Sequence, residues 1–471
     1  MKRRDFITLL PGALLAGCAG RNWTASRTGA RGRASTGAPP APRNVILISI
    51  DTLRADHVHS YGYPYVTTPV MDRVMGEGCQ FFTAICQLPT TDPSHTTMLT
   101  GQPVRIHGCT RNRVHIRLDN VTQLQTYAKR RGMQTAAITS RAHLCPGLGL
   151  IDFDYFTFPE YERHPPETNA DAVPWLREHH GAPFFLFLHY WEPHAAYTPP
   201  EKYIKAVWDQ YAAAADRPDL FTADRLAFLS QHPGKMPPAE PGMGDRGLSE
   251  RQRVDMAISY DADAGWSDEY LGVFLAELEA LGHRDDTLVI LTADHGESLD
   301  ELIERYNYGY DHGEFLYDHQ IHIPLGMRYP PLTKPHTNAR NMVSHQDIVP
   351  TVLSLWGEEP ASPLPGRSLV PLLRGEETDL QRPYLFSQLR TFSDDDDLTR
   401  SDYPDGFFDS SQYCVRGERW KLIWGIDGQA ELYDLHTDPA EVRDLSSERP
   451  EIVAEMSDEL MSWLRRTLGR M

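Results

Sequence analysis

The first long apolar run, Asn44-Val-Ile-Leu-Ile-Ser-Ile50, shows no alternation of polar and apolar positions. Such a run predicts a strand buried on both faces of a parallel sheet. Similar runs follow at Gln134–Thr139, Pro183–His189 and Thr287–Thr292. Between them, helical spacing of apolar positions predicts helices over Val121–Arg131, closed by Gly132, and over Asp261–Leu281, closed by Gly282. Strand and helix alternating in this way predict a doubly wound α/β domain, a mostly parallel sheet sandwiched by helices, over residues 43–382. From about Pro383 the texture changes. Tyr413–Arg416, Trp420–Trp424 and Ala430–Asp434 read as short alternating strands, and Pro450–Leu468 as a helix. Residues 383–471 are therefore expected to form a smaller antiparallel sheet with a packed helix.

In doubly wound sheets, ligands bind off the carboxyl ends of the strands. Asp51 directly follows the first predicted strand and Asp294 almost directly follows the last, which marks both as candidate site residues. Between them, Thr91-Asp-Pro-Ser-His-Thr-Thr-Met-Leu-Thr-Gly101 reads as a helix, with Asp92 as its N-cap and Pro93 as its first residue. A hydroxyl at a helix N-terminus sits where backbone N–H groups and the dipole favour an anionic ester. Asp294-His295-Gly-Glu297 adds a carboxylate and an imidazole, and Asp311-His312-Gly-Glu314 adds His312. Two carboxylates, an imidazole and a hydroxyl make a candidate site for one divalent cation, Asp51, Asp294, His295 and Thr91. Such an ion lowers the pKa of a bound hydroxyl, which is otherwise a poor nucleophile. Each residue alone has a plainer reading, as a turn, a cap or a surface pair; their order along the chain sets them apart.

The N-terminus reads as an address. Arg3-Arg4-Asp5-Phe6-Ile7 has the form of a twin-arginine signal, and the apolar run to Ala16 is too short to span a membrane. It ends in Leu15-Ala16-Gly17-Cys18, similar to a bacterial lipobox, so residues 1–18 are expected to be a signal with lipidation at Cys18. An ordinary cleaved signal is the alternative. Residues 19–42, rich in Gly, Ala, Ser, Arg and Pro, are expected to be a flexible tether. The protein would then be a periplasm-facing lipoprotein of a bacterial envelope, touching the membrane through its lipid anchor alone.

Charge adds an exclusion. The total is -19, and residues 1–43 carry eight Lys/Arg against one Asp, which leaves -26 for residues 44–471. So acidic a body argues against nucleic acid as a partner. The cysteines beyond Cys18 are five, an odd number without a CxxC pair, so buried free thiols are expected over a disulfide framework or a zinc knuckle. Residues 205–250 read as an insertion near the site entrance, and Asp394–Asp397 as an acidic loop, solvated or holding calcium.

The ordered motifs resemble the sulfatase family of the alkaline phosphatase superfamily over roughly residues 43–445. They include Asn44–Asp56, Pro93-Ser-His…Leu99-Thr-Gly101, His107-Gly108, Phe187–His194, Thr292–Glu297, Leu316-Tyr317, His322–Leu325, Asp347–Thr351 and Trp420-Lys421…Leu432-Tyr-Asp434. The resemblance implies Asp51, Asp294 and His295 as metal ligands, with Thr91 as a nucleophile touching the same ion. It implies substrate-facing or leaving-group roles for His189, His194 and His312, His194 alternatively bracing the Pro193 turn. Asn112 falls where related phosphodiesterases hold a phosphate oxygen. His95 stands where sulfatases have an arginine, as catalytic support or as a structural turn.

The departures shape the expected chemistry. Sulfatases convert a Cys or Ser at the position of Thr91 to formylglycine, and a threonine cannot become that aldehyde. A phosphorylated threonine can be hydrolysed by water, and the superfamily contains threonine-based phosphodiesterases. The second Asp of the family is Thr52 here, and its Asn after the late Asp is His295, which favours Mn²⁺ or Zn²⁺ over Ca²⁺ or Mg²⁺. The lysine often found just after His-Gly is not evident near Glu314. The expectation is a metal-dependent hydrolase of a small-molecule or glycan phosphate, phosphonate or sulfate ester, without formylglycine. The alternatives are a genuine sulfuric ester hydrolase, a phospho-group transferase and a non-catalytic glycan-binding relative.

Overall fold

A computed structural model describes residues 40–114, 121–142, 144, 150–215, 220–232, 249–306, 308–376, 378–390 and 412–468. The expected signal, most of the tether, Cys145 and the acidic loop at Asp394–Asp397 lie outside the described residues. Eight strands form the main sheet: β1 (Asn44–Ile50), β2 (Cys79–Ile85), β3 (Gln134–Ile138), β4 (Tyr155–Thr157), β5 (Phe184–Tyr190), β6 (Thr287–Ala293), β7 (His322–Arg328) and β8 (Thr337–Ser344). Their order is β4-β3-β5-β1-β6-β7-β2-β8. β3, β4, β5, β1 and β6 run parallel, and β7 is antiparallel to both its neighbours.

The apolar runs are the centre of this sheet. Every residue of β1, β5 and β6 is buried, because helices cover both faces. Sequence pattern misses β7, which carries Pro324 and Gly326. Pro324 is accommodated at a register shift of β2, where Leu325 pairs Phe81 but Ile323 pairs Ala84, so the ladder skips the residue without an N–H. The helix predicted over Asp261–Leu281 is longer, Glu250–Ala280, because Ser249 caps it with Gln252 in a reciprocal capping box. Within the expected insertion, Glu201–Ala214 and Ala223–Gln231 are helices packed on that long helix through Ile204, Val207, Trp208, Leu229 and Ile258; residues 233–248 lie outside the described residues.

The second sheet is antiparallel, in the order β12-β11-β10-β9, from β9 (Leu385–Gln388), β10 (Gln412–Arg416), β11 (Trp420–Gly425) and β12 (Ala430–Asp434). The helix Pro450–Leu468 covers it with Met456 and Leu460 packed on Val415, Leu422 and Leu432. The small sheet is tied to the large one by a buried charge cluster. Lys421 Nζ lies 2.7 Å from Asp318 and 2.7 Å from Glu441, and Arg416 reaches Asp318 at 3.1 Å. Among the described residues, Cys79, Cys86, Cys109 and Cys414 are free buried thiols, and no helix is long and apolar enough to cross a membrane.

Candidate active site

Three adjacent parallel strands, β5, β1 and β6, deliver the central residues at their carboxyl ends: His189 within β5, Asp51 just after β1 and Asp294 just after β6. Asp51, Asp294 and His295 each present one ligand atom, all within 4.8 Å of one another, and all three side chains are fully buried. The two oxygens of Asp294 have different tasks. Oδ1 accepts the N–H groups of Thr52 (3.1 Å) and His295 (2.8 Å), which fixes the carboxylate. Oδ2 accepts no hydrogen bond among the described residues and lies 3.3 Å from His295 Nε2.

His295 is oriented in the same manner. Its Nδ1 lies 2.9 Å from the Gly296 carbonyl, which can only accept, so Nδ1 carries the proton and Nε2 presents a lone pair. That lone pair points toward Asp294 Oδ2 and Asp51 Oδ1, the latter 3.9 Å away. Burial opposes charge on this ring, yet Asp294 and Asp51 raise its pKa above the ordinary histidine value. Two buried carboxylates and an imidazole nitrogen converging on one point fit a divalent cation, and a mixed oxygen and nitrogen set suits Mn²⁺ or Zn²⁺.

Thr91 opens the helix Thr91–Thr100, every residue of which is buried. The helix is polar, so its hydroxyls need partners inside it: Thr96, Thr97 and Thr100 each donate to the carbonyl four residues back. The N-cap is Thr90 and not Asp92 as the sequence predicts, and Pro93 is the third residue, where its missing N–H is still harmless. Asp92 is otherwise engaged: its carboxylate accepts the Arg113 N–H at 2.7 Å. The first turn is stitched to the metal-ligand candidates. Ser94 Oγ donates to the Asp294 carbonyl at 2.5 Å, and His95 Nδ1 lies 3.8 Å from Asp294 Oδ2.

The other predicted residues lie around this cluster. His95 spends both ring nitrogens locally, Nδ1 on the Thr91 carbonyl (2.8 Å) and Nε2 on Ser49 Oγ (2.8 Å), and burial pushes its pKa down to about 3. These contacts brace the start of the helix, the structural one of its two expected roles. His189 Nδ1 accepts the Ser140 N–H at 3.3 Å, and its Nε2 lies 3.3 Å from Asp51 Oδ2. Asn112 stands beside the helix start with Oδ1 accepting the Asp92 N–H at 2.9 Å, so its oxygen is a cap on the helix.

His194 and His312 form a wall next to His295. The His312 ring lies 4.3 Å from that of His295 and 4.9 Å from that of His194, which stacks on Trp191 at 3.7 Å. Burial, then the neighbouring His295, holds His312 down to about 4, and burial with His312 holds His194 well below its usual value. Both rings are therefore neutral near pH 7; His194 spends its N–H on the Ala195 carbonyl at 2.5 Å, which leaves its Nε2 an acceptor, and His312 can donate one N–H.

Sequence pattern misses the hinge behind Asp294. Thr52 adopts φ +55, costly for a β-branched residue. Tyr260 holds it there, its hydroxyl donating to the Thr52 carbonyl (2.8 Å) and accepting the Arg54 N–H (3.0 Å). No local signal in a helix marks such a tyrosine. Arg390, just past β9, is also missed; it pairs with Glu314, whose pKa burial raises to about 8, and lies against Gly313 beside Thr90. The small sheet thus brings a guanidinium close to the start of the helix Thr91–Thr100.

A candidate cation site thus lies off the carboxyl ends of a mostly parallel sheet, where α/β proteins of this architecture bind ligands, beside a buried helix N-terminus that carries a hydroxyl. The family model "Sulfatase" matches residues 43–358, and "N-sulphoglucosamine sulphohydrolase, C-terminal" matches residues 307–466. The chain belongs to the sulfatase family, within the alkaline phosphatase superfamily. It is 24% identical to arylsulfatase K of Mus musculus, covering 90% of this chain and 82% of that protein. It is also 24% identical to the multifunctional alkaline phosphatase superfamily protein PehA of Trinickia caryophylli, covering 89% and 95%. A phosphonate monoester hydrolase of Agrobacterium radiobacter superposes with a TM-score of 0.71 at 22% identity, over 90% of this chain and 96% of that one. A structure in complex with its substrate D-glucosamine-2-N,6-O-disulfate superposes with a TM-score of 0.72 at 20% identity, over 91% and 98%.

Proposed function

We propose that the protein is a metal-dependent hydrolase of phosphate or phosphonate esters that uses Thr91 as its nucleophile. One observation carries this reading: two buried, fixed carboxylates and an oriented imidazole converge beside a helix whose first residue is a threonine. Asp51, Asp294, His295 and the Thr91 hydroxyl would hold one divalent cation, Mn²⁺ or Zn²⁺. When bound, it supplies Lewis-acid stabilisation of the charge that develops on nucleophile and ester oxygens.

The chain's own groups account for the rest. His95 and Ser94 fix the first helical turn, so the Thr91 oxygen meets the ester in line with the leaving group. The new bond joins Thr91 Oγ to phosphorus as the bond to the leaving alcohol breaks, and the hydroxyl proton of Thr91 ends on that alcohol. The neutral ring of His312 donates an N–H to ester or leaving oxygen, with His194 packed beside it. Water then attacks the phospho-threonine from the vacated side, releasing the phosphate or phosphonate and restoring the hydroxyl. A sulfated threonine has the same second step to make without the built-in exit of a formylglycine hydrate, which favours phosphorus over sulfur. Sulfuric ester hydrolysis is the second reading, supported by the family and by the sulfatase names among its relatives.

The test is turnover of aryl phosphate, phosphate diester, phosphonate ester and aryl sulfate by the full chain with Mn²⁺, Zn²⁺ or Ca²⁺. Phosphorus esters are expected to turn over, with loss in Thr91→Ala. Cleavage of aryl sulfate alone would reverse the preference, and full activity in Thr91→Ala would remove the nucleophile. The same reading puts the protein on a bacterial envelope membrane through Cys18. Incorporation of a labelled fatty acid, abolished by Cys18→Ala, is the expected result, and unlabelled protein refutes it.

A further inference from the structure

The chain contains the tetrad Asp-His-Gly-Glu twice, at Asp294–Glu297 and Asp311–Glu314, and the site described above takes Asp294 and His295 from the first and only His312 from the second. The fold sets the two side by side. Ser298 and Asp311 form an isolated antiparallel bridge, with the Ser298 N–H on the Asp311 carbonyl (3.0 Å) and the Asp311 N–H returning to the Ser298 carbonyl (3.3 Å). This bridge brings Glu297 against Asp311 and His312. One ligand atom of each lies within 4.8 Å of the other two, the spacing of donors around a common ion.

Ordinary pairing leaves this cluster unsatisfied. Glu297 is fully buried; the Thr52 hydroxyl stands near its carboxyl, yet its Oε2 accepts no hydrogen bond of regular geometry among the described residues. His312 Nδ1 stands 3.4 Å from Oε2 and 3.5 Å from Oε1. That is long for a charge-assisted bond, which closes to about 2.7–2.9 Å. The nearby guanidinium does not serve either. Arg54 spends its charge on Asp56 (2.7 Å) and Glu301 (2.5 Å), and reaches only the backbone carbonyl of Glu297 at 3.3 Å. Among the described residues, the ion-pair partner of Glu297 is a histidine and never a lysine or arginine. A buried carboxylate oxygen without a donor or a cation is costly and points to a missing partner.

We propose that Glu297, Asp311 and His312 form a second divalent-cation site, adjacent to the one formed by Asp51, Asp294 and His295. The His295 and His312 rings, 4.3 Å apart, stand one at each site. Two carboxylates and one imidazole suit Mn²⁺ or Zn²⁺, and three protein ligands leave positions open for water or an anionic ester oxygen. With Nδ1 engaged by the ion, His312 keeps its proton on Nε2, so ligation and N–H donation are compatible in one ring. Asp311 is exposed, which gives the ion a path from solvent. The inference goes beyond a single-cation site and does not depend on what Thr91 attacks.

The test is the stoichiometry of Mn²⁺ bound by the full chain after stripping with chelator, by metal analysis after desalting and by Mn²⁺ electron paramagnetic resonance. Wild type is expected to hold two equivalents, with the spectrum of neighbouring ions. Glu297→Gln, a near-isosteric change, is expected to hold one. Asp311→Asn, at an exposed position, reports the same loss should Glu297→Gln melt early. Asp294→Asn keeps the second site and loses the first. One equivalent in wild type, kept in Glu297→Gln and lost in Asp294→Asn, overturns this inference and leaves the single-cation reading intact. No Mn²⁺ in any protein overturns both. Two equivalents in wild type, Glu297→Gln and Asp311→Asn alike would place the second ion elsewhere and overturn the assignment.

Discussion

Tyr260→Phe isolates the hinge behind Asp294 without touching a candidate ligand. The lost hydroxyl is fully buried and makes two hydrogen bonds, to the Thr52 carbonyl at 2.8 Å and from the Arg54 N–H at 3.0 Å. Each such bond contributes about 0.5–1.5 kcal/mol net, so the pair amounts to about 1–3 kcal/mol. For a chain of this size, the unfolding entropy is about 0.9 kcal/mol per kelvin, which converts the loss to a fall in Tm of roughly 1–3 °C. The specific consequence lies at the metal site. Freed from Tyr260, Thr52 can leave φ +55 and withdraw the N–H that orients Asp294 Oδ1 at 3.1 Å. Loss of such an outer partner weakens a metal site about 10–100-fold. Mn²⁺ titration of the full chain beside a thermal melt reads both effects. Unchanged Mn²⁺ affinity with the expected fall in Tm would show that Tyr260 is only structural, and would refute the hinge.

Two further changes probe the frame around the site. Lys421→Met removes the ammonium shared by Asp318 and Glu441, and leaves the buried Glu441 carboxylate facing Asp318, which keeps Arg416. Breaking a buried ion pair from one side costs about 3–5 kcal/mol, to be read from the midpoint of urea unfolding, and a change below about 1 kcal/mol would refute the assignment. His164→Gln tests a pH-dependent contact, since the hydrogen bond to Glu192 at 2.5 Å raises the pKa of His164. A raised histidine pKa stabilises fully below the unfolded value and less as pH rises through the folded one. The variant should therefore lose more stability, relative to wild type, at mildly acidic than at alkaline pH. Equal losses at both would show that the ring contributes only its stacking on Trp266.

How much of this was legible along the chain follows from which forces are local. β1, β5 and β6 are readable because strands covered on both faces need uninterrupted apolar runs, and the acids that follow them then fall at the sheet's carboxyl edge. Asp51, Asp294 and His295 come together for that reason. The tasks of the histidines are not local. His95 is held as a brace by Ser49 on β1, and His189 is held by Ser140 beyond β3, partners 46 and 49 residues away. The full length of the helix Glu250–Ala280 was hidden because its buried face includes Asp255, Ser259, Tyr260, Asp261 and Asp263, which blur its apolar period. β7 was hidden by a proline that only a bulge in its neighbour makes tolerable. Glu297 stood in plain sight within a tetrad, but its burial without a donor is visible only when the second tetrad is folded against it.

The central claim, that Thr91 becomes covalently phosphorylated during turnover, is tested most directly by mass analysis of the Thr91 peptide. The full chain with Mn²⁺ would be quenched in acid within the first turnovers of an aryl phosphonate or phosphate ester. The expected result is a phosphonyl or phosphoryl group on Thr91, present during turnover and absent once substrate is exhausted. An unmodified Thr91 throughout a reaction that proceeds, or a group found on another residue, would contradict the account.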